Sequence, residues 1–242
     1  MSPKETLKRV LFDCGFELRR TAVNGTPLAV ELRRRAMMER CGIDCVADVG
    51  ANTGQYASML RRSGYRGAIF SFEPLAAAYA ELARRAADDP SWHFYHAAVG
   101  AAEGRAEINV AGNSYSSSLL PMERRHAESD PASCYIARED VRVTTLDRAL
   151  LPLLPAEARV LLKIDTQGYE AQVLEGAQSL LKRVRLVECE LSLAPLYDGQ
   201  PGFSDMLALL ARRGFSPAHF EPGFSERETG HCLQVDGIFV KS

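Results

Sequence analysis

Five carboxylates and one lysine end or interrupt the most apolar runs of this chain: Asp48, Glu73, Lys163, Asp165, Glu188 and Glu190. A charge in such surroundings is costly unless something pairs with it, so each of these residues needs a partner or a ligand. Asp48 closes the run Cys45-Val46-Ala47 and leads into Val49-Gly50-Ala51-Asn52-Thr53-Gly54, after which Tyr56, Met59 and Leu60 take helical spacing. That is strand, glycine turn, helix: the backbone turns where side chains are missing, and the helix N-terminus aims N–H groups at a ligand. In open α/β sheets such a turn at the end of the first strand holds a nucleotide-like group. A dinucleotide fingerprint would need a glycine where Asn52 stands, and Asp48 would repel its pyrophosphate but attract an α-ammonium. Glu73 ends a second apolar run, AIFSFEP, where an acid accepts hydrogen bonds from ribose hydroxyls, and Pro74 is placed to start the next helix. The combination points to an adenosine-bearing ligand without choosing between an aminoacyl nucleoside and a dinucleotide.

The remaining charges fall on two later strands. Val160 to Ile164 is a short, wholly apolar run except for Lys163, and Asp165 follows at its carboxyl end. Alternate strand residues share a face, so Lys163 and Asp165 stand together, either facing a ligand crevice or closing the strand end as a pair. Glu188 and Glu190 share a face of the next strand, Val184 to Leu193. Asp165, Glu188 and Glu190 are hard oxygen ligands of the kind Mg²⁺ takes, but no metal motif accompanies them, and no obligatory metal is expected.

The elements that position these residues alternate strand and helix. Before the first strand, residues 4 to 20 and Pro27 to Arg40 read as two helices joined by a turn at Asn24-Gly25, with Leu28, Leu32 and Ala36 sharing a face of the second. They make residues 1–42 an N-terminal helical addition, which caps the cleft, helps to bind acceptor or supplies a homodimer contact. Residues 43–242 form the main domain. Trp92 to Val99 reads as the third strand, its small Ala97 and Ala98 leaving room for a ring beside the adenosine site or packing under a helix. Residues 112–140, polar and serine-rich, read as an insertion over the cleft with a mobile centre. Leu146 to Leu150 is a short helix, Ser204 caps a helix ending at Gly214, Phe215 to Phe220 is a sixth strand, and Cys232 to Lys241 a last one that runs antiparallel.

Composition narrows the classes. The chain has 242 residues, 46% hydrophobic and 25% charged, with a net charge of −2, which gives no global electrostatic case for nucleic acid. No run approaches the roughly 18 apolar residues of a membrane span, and the N-terminus lacks a signal-peptide pattern. The six cysteines are scattered without a C-x-x-C pair, as in a reduced cytoplasmic protein.

The stretches VADVGANTGQYASMLRRSGY, FSFEP, LLKIDTQGYEAQVLEGA, VECELSLAPLYDGQPGF, RRGF and VDGIFV resemble the FkbM-type S-adenosylmethionine-dependent methyltransferases. The resemblance implies the class I α/β fold: a Rossmann-like, seven-stranded, mostly parallel sheet with one antiparallel strand and helices on both faces. It implies S-adenosylmethionine as cofactor and a hydroxyl acceptor, a small molecule or a glycan. By position, Asp48, Gly50, Asn52 and Gly54 would hold the methionine part and Glu73 the ribose, with Asp165 near the sulfonium and the acceptor; Ala98, from the reading of the third strand, is the candidate beside the adenine. A hydroxyl needs a general base, for which Asp165 stands first and Glu190 second, with Lys163 paired to either; His219, His96 and His126 rank below them. An NAD-linked oxidoreductase lacks its hydride-transfer set here, and a non-catalytic binding or scaffold protein is the other alternative.

Overall fold

The computed structural model describes residues 3–14, 22–23, 26–27, 30–226 and 228–242. Contacts divide the chain into two compact units, Met1–Arg40 and Cys41–Ser242. The first contains α1 (Pro3–Asp13), a two-residue antiparallel pair β1 (Ala22–Val23) and β2 (Thr26–Pro27), and all but the last residue of α2 (Val30–Cys41). The Asn24-Gly25 turn, Leu28 and residues 15–20 of the expected first helix lie outside the described residues. On α2 the buried positions are Arg34 and Met38, whereas Leu32 and Ala36 are exposed, so the expected apolar face is not the covered one.

The second unit alternates strand and helix: β3 (Cys45–Val49), α3 (Gln55–Arg62), β4 (Ala68–Glu73), α4 (Ala76–Ala86) and β5 (Trp92–His96). Then come β6 (Ala98–Val99), β7 (Gly104–Ala111), α5 (Arg124–Ser129), β8 (Tyr135–Thr144) and α6 (Leu146–Leu150). The chain continues through β9 (Val160–Ile164), α7 (Glu170–Glu175), β10 (Val184–Ser192), α8 (Phe203–Arg212), β11 (Phe215–Pro222) and β12 (Gln234–Lys241). Seven strands form one sheet in the order β11-β12-β10-β9-β3-β4-β5, parallel except for β12, which runs antiparallel to both its neighbours. This is the class I methyltransferase arrangement that the resemblance implied. β3 and β9 are buried at every position, as strands covered by helices on both faces must be. One core collects Ala47, Val49, Phe72, Leu162, Ile164 and Val187 with Leu146 and Val173 from the helices.

The chain leaves β3 outward through β4 and β5 and returns to β9, so a crevice opens at the carboxyl ends of β3 and β9, where strand order reverses. Three local expectations are corrected. The expected third strand breaks at Ala97: β5 stays in the large sheet, while β6 pairs with β8 in a separate three-stranded sheet, β6-β8-β7. Pro74 precedes α4 rather than starting it, because Leu75 N–H is taken by the Glu73 carboxylate at 2.8 Å and the helix begins at Ala76. Gly202 caps α8 in place of Ser204, its N–H donating to Asp205 at 3.3 Å. The 112–140 segment is threaded with specific bonds: Asn109 and Ser118 exchange backbone hydrogen bonds of 2.9 and 3.1 Å, and Asn113 bonds Asp130 at 3.1 Å.

Candidate active site

At the crevice lies a cleft of about 220 Å³ accessible to water, walled by the ends of β3, β4, β9 and β10, by β6, and by Ser114 to Leu119 of the insertion. Three carboxylates line it, Glu73, Asp165 and Glu190, and none of its described lining residues is a Lys, Arg or His.

The turn after β3 is built by close approach of backbones. Gly50 has φ +75°, and a Cβ there would fall 1.8 Å from the Asp165 carbonyl oxygen, so no other residue fits. Gly50 and Ala51 N–H both donate to the Phe72 carbonyl, locking the turn to β4. Asn52 adopts φ +47°, a left-handed conformation that Asn tolerates, and donates its N–H to Glu73 Oε2 at 2.8 Å. Glu73 thus accepts two backbone N–H groups, yet burial outweighs them and pushes its carboxyl up to about 7. Ala98 lines the cleft alongside Ala97 and Leu75.

Asp48 and Gly54 stand elsewhere. Gly54 has φ +84°, and a Cβ there would meet Leu82 and Trp92 at 2.9 Å; it lets α3 close down on its neighbours and does not line the cleft. Asp48 is fully buried beneath the cleft in a row of polar residues that crosses four strands in register, Ser71–Asp48–Lys163–Glu188. Trp92 Nε1 donates to Ser71 Oγ at 3.0 Å, Ser71 Oγ to Asp48 at 3.0 Å, and Tyr56 O–H to Glu188 at 2.7 Å. Lys163 Nζ lies 3.5 Å from Asp48 and 3.4 Å from Asp165, and donates to the Gly50 carbonyl at 2.9 Å. Burial pulls the Lys163 pKa down, but Asp165 and Asp48 outweigh it and hold the amine above its ordinary value, while burial pushes Asp48 up. The lysine that was expected to pair with Asp165 or Glu190 therefore pairs with Asp165 and Asp48.

Asp165 and Glu190 share a bridge. Gln167 Nε2 donates to Asp165 Oδ1 at 2.9 Å and to Glu190 Oε2 at 2.8 Å, and Gln234 Nε2 reaches the same Glu190 oxygen at 2.7 Å. Burial, with Asp165, Glu170 and Asp236 nearby, raises the Glu190 pKa well above the usual carboxylate range. Glu170 fixes the loop between β9 and α7, its Oε1 accepting from Thr166 N, Thr166 Oγ1 and Gly168 N at 3.0 to 3.1 Å.

Sequence reasoning missed Gln167, Gln234, Glu170 and Tyr197. A Gln two residues after the strand-end acid and a Tyr flanked by loop residues were the only signals, and both read as ordinary loop chemistry. The three histidines lie off the cleft: His96 stacks on Tyr79 at 4.6 Å, His219 pairs with Glu221 at 3.2 Å on β11, and His126 is buried edge-on to Tyr197. Among the described residues no group of three or more His, Cys, Asp or Glu is arranged to hold a metal ion, and no helix is long and apolar enough to cross a membrane.

Solved structures similar to this chain include three methyltransferases. The magnesium protoporphyrin IX methyltransferase of Synechocystis PCC 6803, solved with bound SAM, is 13% identical, covers 100% of this chain and 98% of its own, and has a TM-score of 0.45. An S-adenosylmethionine-dependent methyltransferase of Mesorhizobium loti is 11% identical over 88% of this chain and 99% of its own, with a TM-score of 0.48. The METTL16 methyltransferase domain is 10% identical over 96% of this chain and 75% of its own, with a TM-score of 0.49. A search of the curated proteins finds no match to this sequence. Residues 48–217 match the methyltransferase FkbM domain, a span that runs from the first acid of the glycine turn into β11 and includes Asp48, Glu73, Asp165, Glu170, Glu188 and Glu190. The chain belongs to the FkbM methyltransferase family.

Proposed function

We propose that this methyltransferase takes its methyl group from S-adenosylmethionine and delivers it to a hydroxyl oxygen of a small-molecule or glycan acceptor. The observation that carries the reading is the composition of the cleft: three carboxylates and no basic side chain among its described lining residues. Carboxylate oxygens accept from an α-ammonium and stabilise a sulfonium beside them, whereas the pyrophosphate of a dinucleotide meets no cationic side chain on that lining.

The residues fit such a donor. Glu73, ionised, accepts hydrogen bonds from ribose hydroxyls; Ala98, Ala97 and Leu75 offer apolar surface to the adenine; and the Gly50–Asn52 turn receives the aminoacyl end. Asp48 contributes indirectly, by holding Lys163 against the Gly50 carbonyl. S-adenosylmethionine supplies a methyl carbon already activated by a positively charged sulfur. The protein aligns the acceptor oxygen opposite that sulfur and excludes water. As the oxygen–carbon bond forms and the carbon–sulfur bond breaks, Asp165 takes the hydroxyl proton, and Glu190 stands second for that role.

Isothermal titration with S-adenosylmethionine, S-adenosylhomocysteine and NAD, repeated with EDTA and with Mg²⁺, tests this reading. Binding of both sulfur ligands without NAD or Mg²⁺ is expected. Binding of NAD alone overturns it. Binding of both sulfur ligands without turnover on any hydroxyl in an acceptor panel marks a non-catalytic binding protein instead.

A further inference from the structure

Gln167 occupies the left-handed region, at φ +55°, although it is neither Gly nor Asn. Such backbone persists only where its surroundings over-determine it. Glu170 ties the residues on either side of Gln167, Thr166 and Gly168. What the conformation achieves is to direct a buried amide between two carboxylates. Nε2 spends both hydrogens on Asp165 and Glu190, and Oε1 faces the Tyr197 hydroxyl at 2.7 Å. The reverse orientation would set the amide oxygen against two carboxylate oxygens, so the assignment is chemically determined. The Tyr197 proton also faces the Ser116 carbonyl at 3.1 Å, and Ser118 Oγ donates to the Gln167 carbonyl at 2.7 Å.

We propose that Gln167 is a positioning residue that joins Asp165 and Glu190 into one unit and ties that unit to the 112–140 insertion. The inference rests on the reading of those two carboxylates as the acceptor-activating pair. Glu190 faces Asp165 and Lys163 at the end of β9, Glu170 on α7, Cys189 beside it on β10, Asp236 across on β12, and Tyr197. Set among acids, the two carboxylates repel each other, and a shared donor favours the ionised form of each. The bridge thus opposes the burial and the neighbouring acids that raise Glu190, and the insertion that covers the cleft is hydrogen-bonded to the group that makes it.

The test is ¹³C NMR titration of the Glu190 side-chain carboxyl in the full chain and in Gln167→Asn, which keeps a residue at ease with positive φ but is one methylene too short to bridge. The Glu190 midpoint is expected to rise by about one pH unit, roughly a tenfold change in its acid constant. A midpoint unchanged in folded Gln167→Asn overturns the proposal. The wild-type protein gives a second reading that needs no variant to fold. The Gln167 side-chain ¹⁵N–¹H resonances follow the Glu190 titration if the bridge exists, and the proposal fails if they are indifferent to it. Neither experiment uses S-adenosylmethionine, so failure of the bridge is distinct from failure of the donor assignment.

Discussion

At the β4 end of the cleft, Glu73 is held by main-chain N–H groups, from Asn52 and Leu75, and beside it Gly50 lies against the Asp165 carbonyl with no room for a side chain. At the β10 end, Glu190 is held by side-chain amides, from Gln167 and Gln234, and the Gln167 amide is aimed in turn by a tyrosine hydroxyl. The first end is made of backbone and the second of side chains. A backbone-built end fixes the same shape whatever binds beyond it, which suits a donor whose adenosine and aminoacyl parts do not vary. A side-chain-built end can be re-equipped residue by residue without disturbing the other, which suits an acceptor that differs between enzymes of one fold.

The largest effect expected from breaking this division is at Asp165. Asp165→Asn should lower turnover by about 10²- to 10⁴-fold, measured with whichever hydroxyl acceptor supports turnover, because the proton loses its destination while the backbone turn is untouched. Gly50→Ala comes next. Its methyl meets a carbonyl oxygen that cannot retreat and its φ is positive, so it should cost about 3 kcal/mol of folding stability, read by urea denaturation. Glu73→Ala should weaken S-adenosylhomocysteine binding by about 1.5 to 3 kcal/mol, the worth of hydrogen bonds to a charged group.

The smallest effect is pH dependence at the same residue. In the folded protein Glu73 titrates at about 7, above the ordinary carboxyl value of 4.5. The native state therefore retains a proton that the unfolded chain has released, and this group's contribution to stability is full below pH 4.5 and is lost as pH rises toward 7. Ribose recognition has the opposite slope, since it needs the ionised form. Affinity should be about tenfold lower at pH 6 than at pH 8, with proton release visible as a buffer-dependent heat.

The same division explains what was legible in the sequence. The backbone-built end is encoded locally: Asp48 to Gly54 and Ala68 to Pro74 are contiguous stretches in which glycines and an acid have few alternative uses, and the sheet follows from apolar runs such as VLLKI. Even there, Asp48 proved to be a buried partner of Ser71 and Lys163, because its neighbours on β4 and β9 depend on strand register. The side-chain end is encoded at long range. Gln167 meets Glu190 across 23 positions and Tyr197 across 30, Gln234 meets Glu190 across 44, and Tyr197 meets Ser116 across 81. Amides and tyrosines announce nothing by type, so Asp165 and Glu190 were found by their charge and the groups that aim them were not. The break of the third strand at Ala97 was hidden for a similar reason, since the partner of β6 is Val143 and Thr144 of β8.

One measurement tests the division of the cleft most directly: calorimetric affinity for S-adenosylhomocysteine of Glu73→Ala and Asp165→Asn, side by side with the wild type. S-adenosylhomocysteine carries no sulfonium charge, so Asp165 should be nearly irrelevant to it. The account predicts that Glu73→Ala loses about tenfold or more, while Asp165→Asn binds as the wild type does. Equal losses in both variants, or a loss confined to Asp165→Asn, would contradict it.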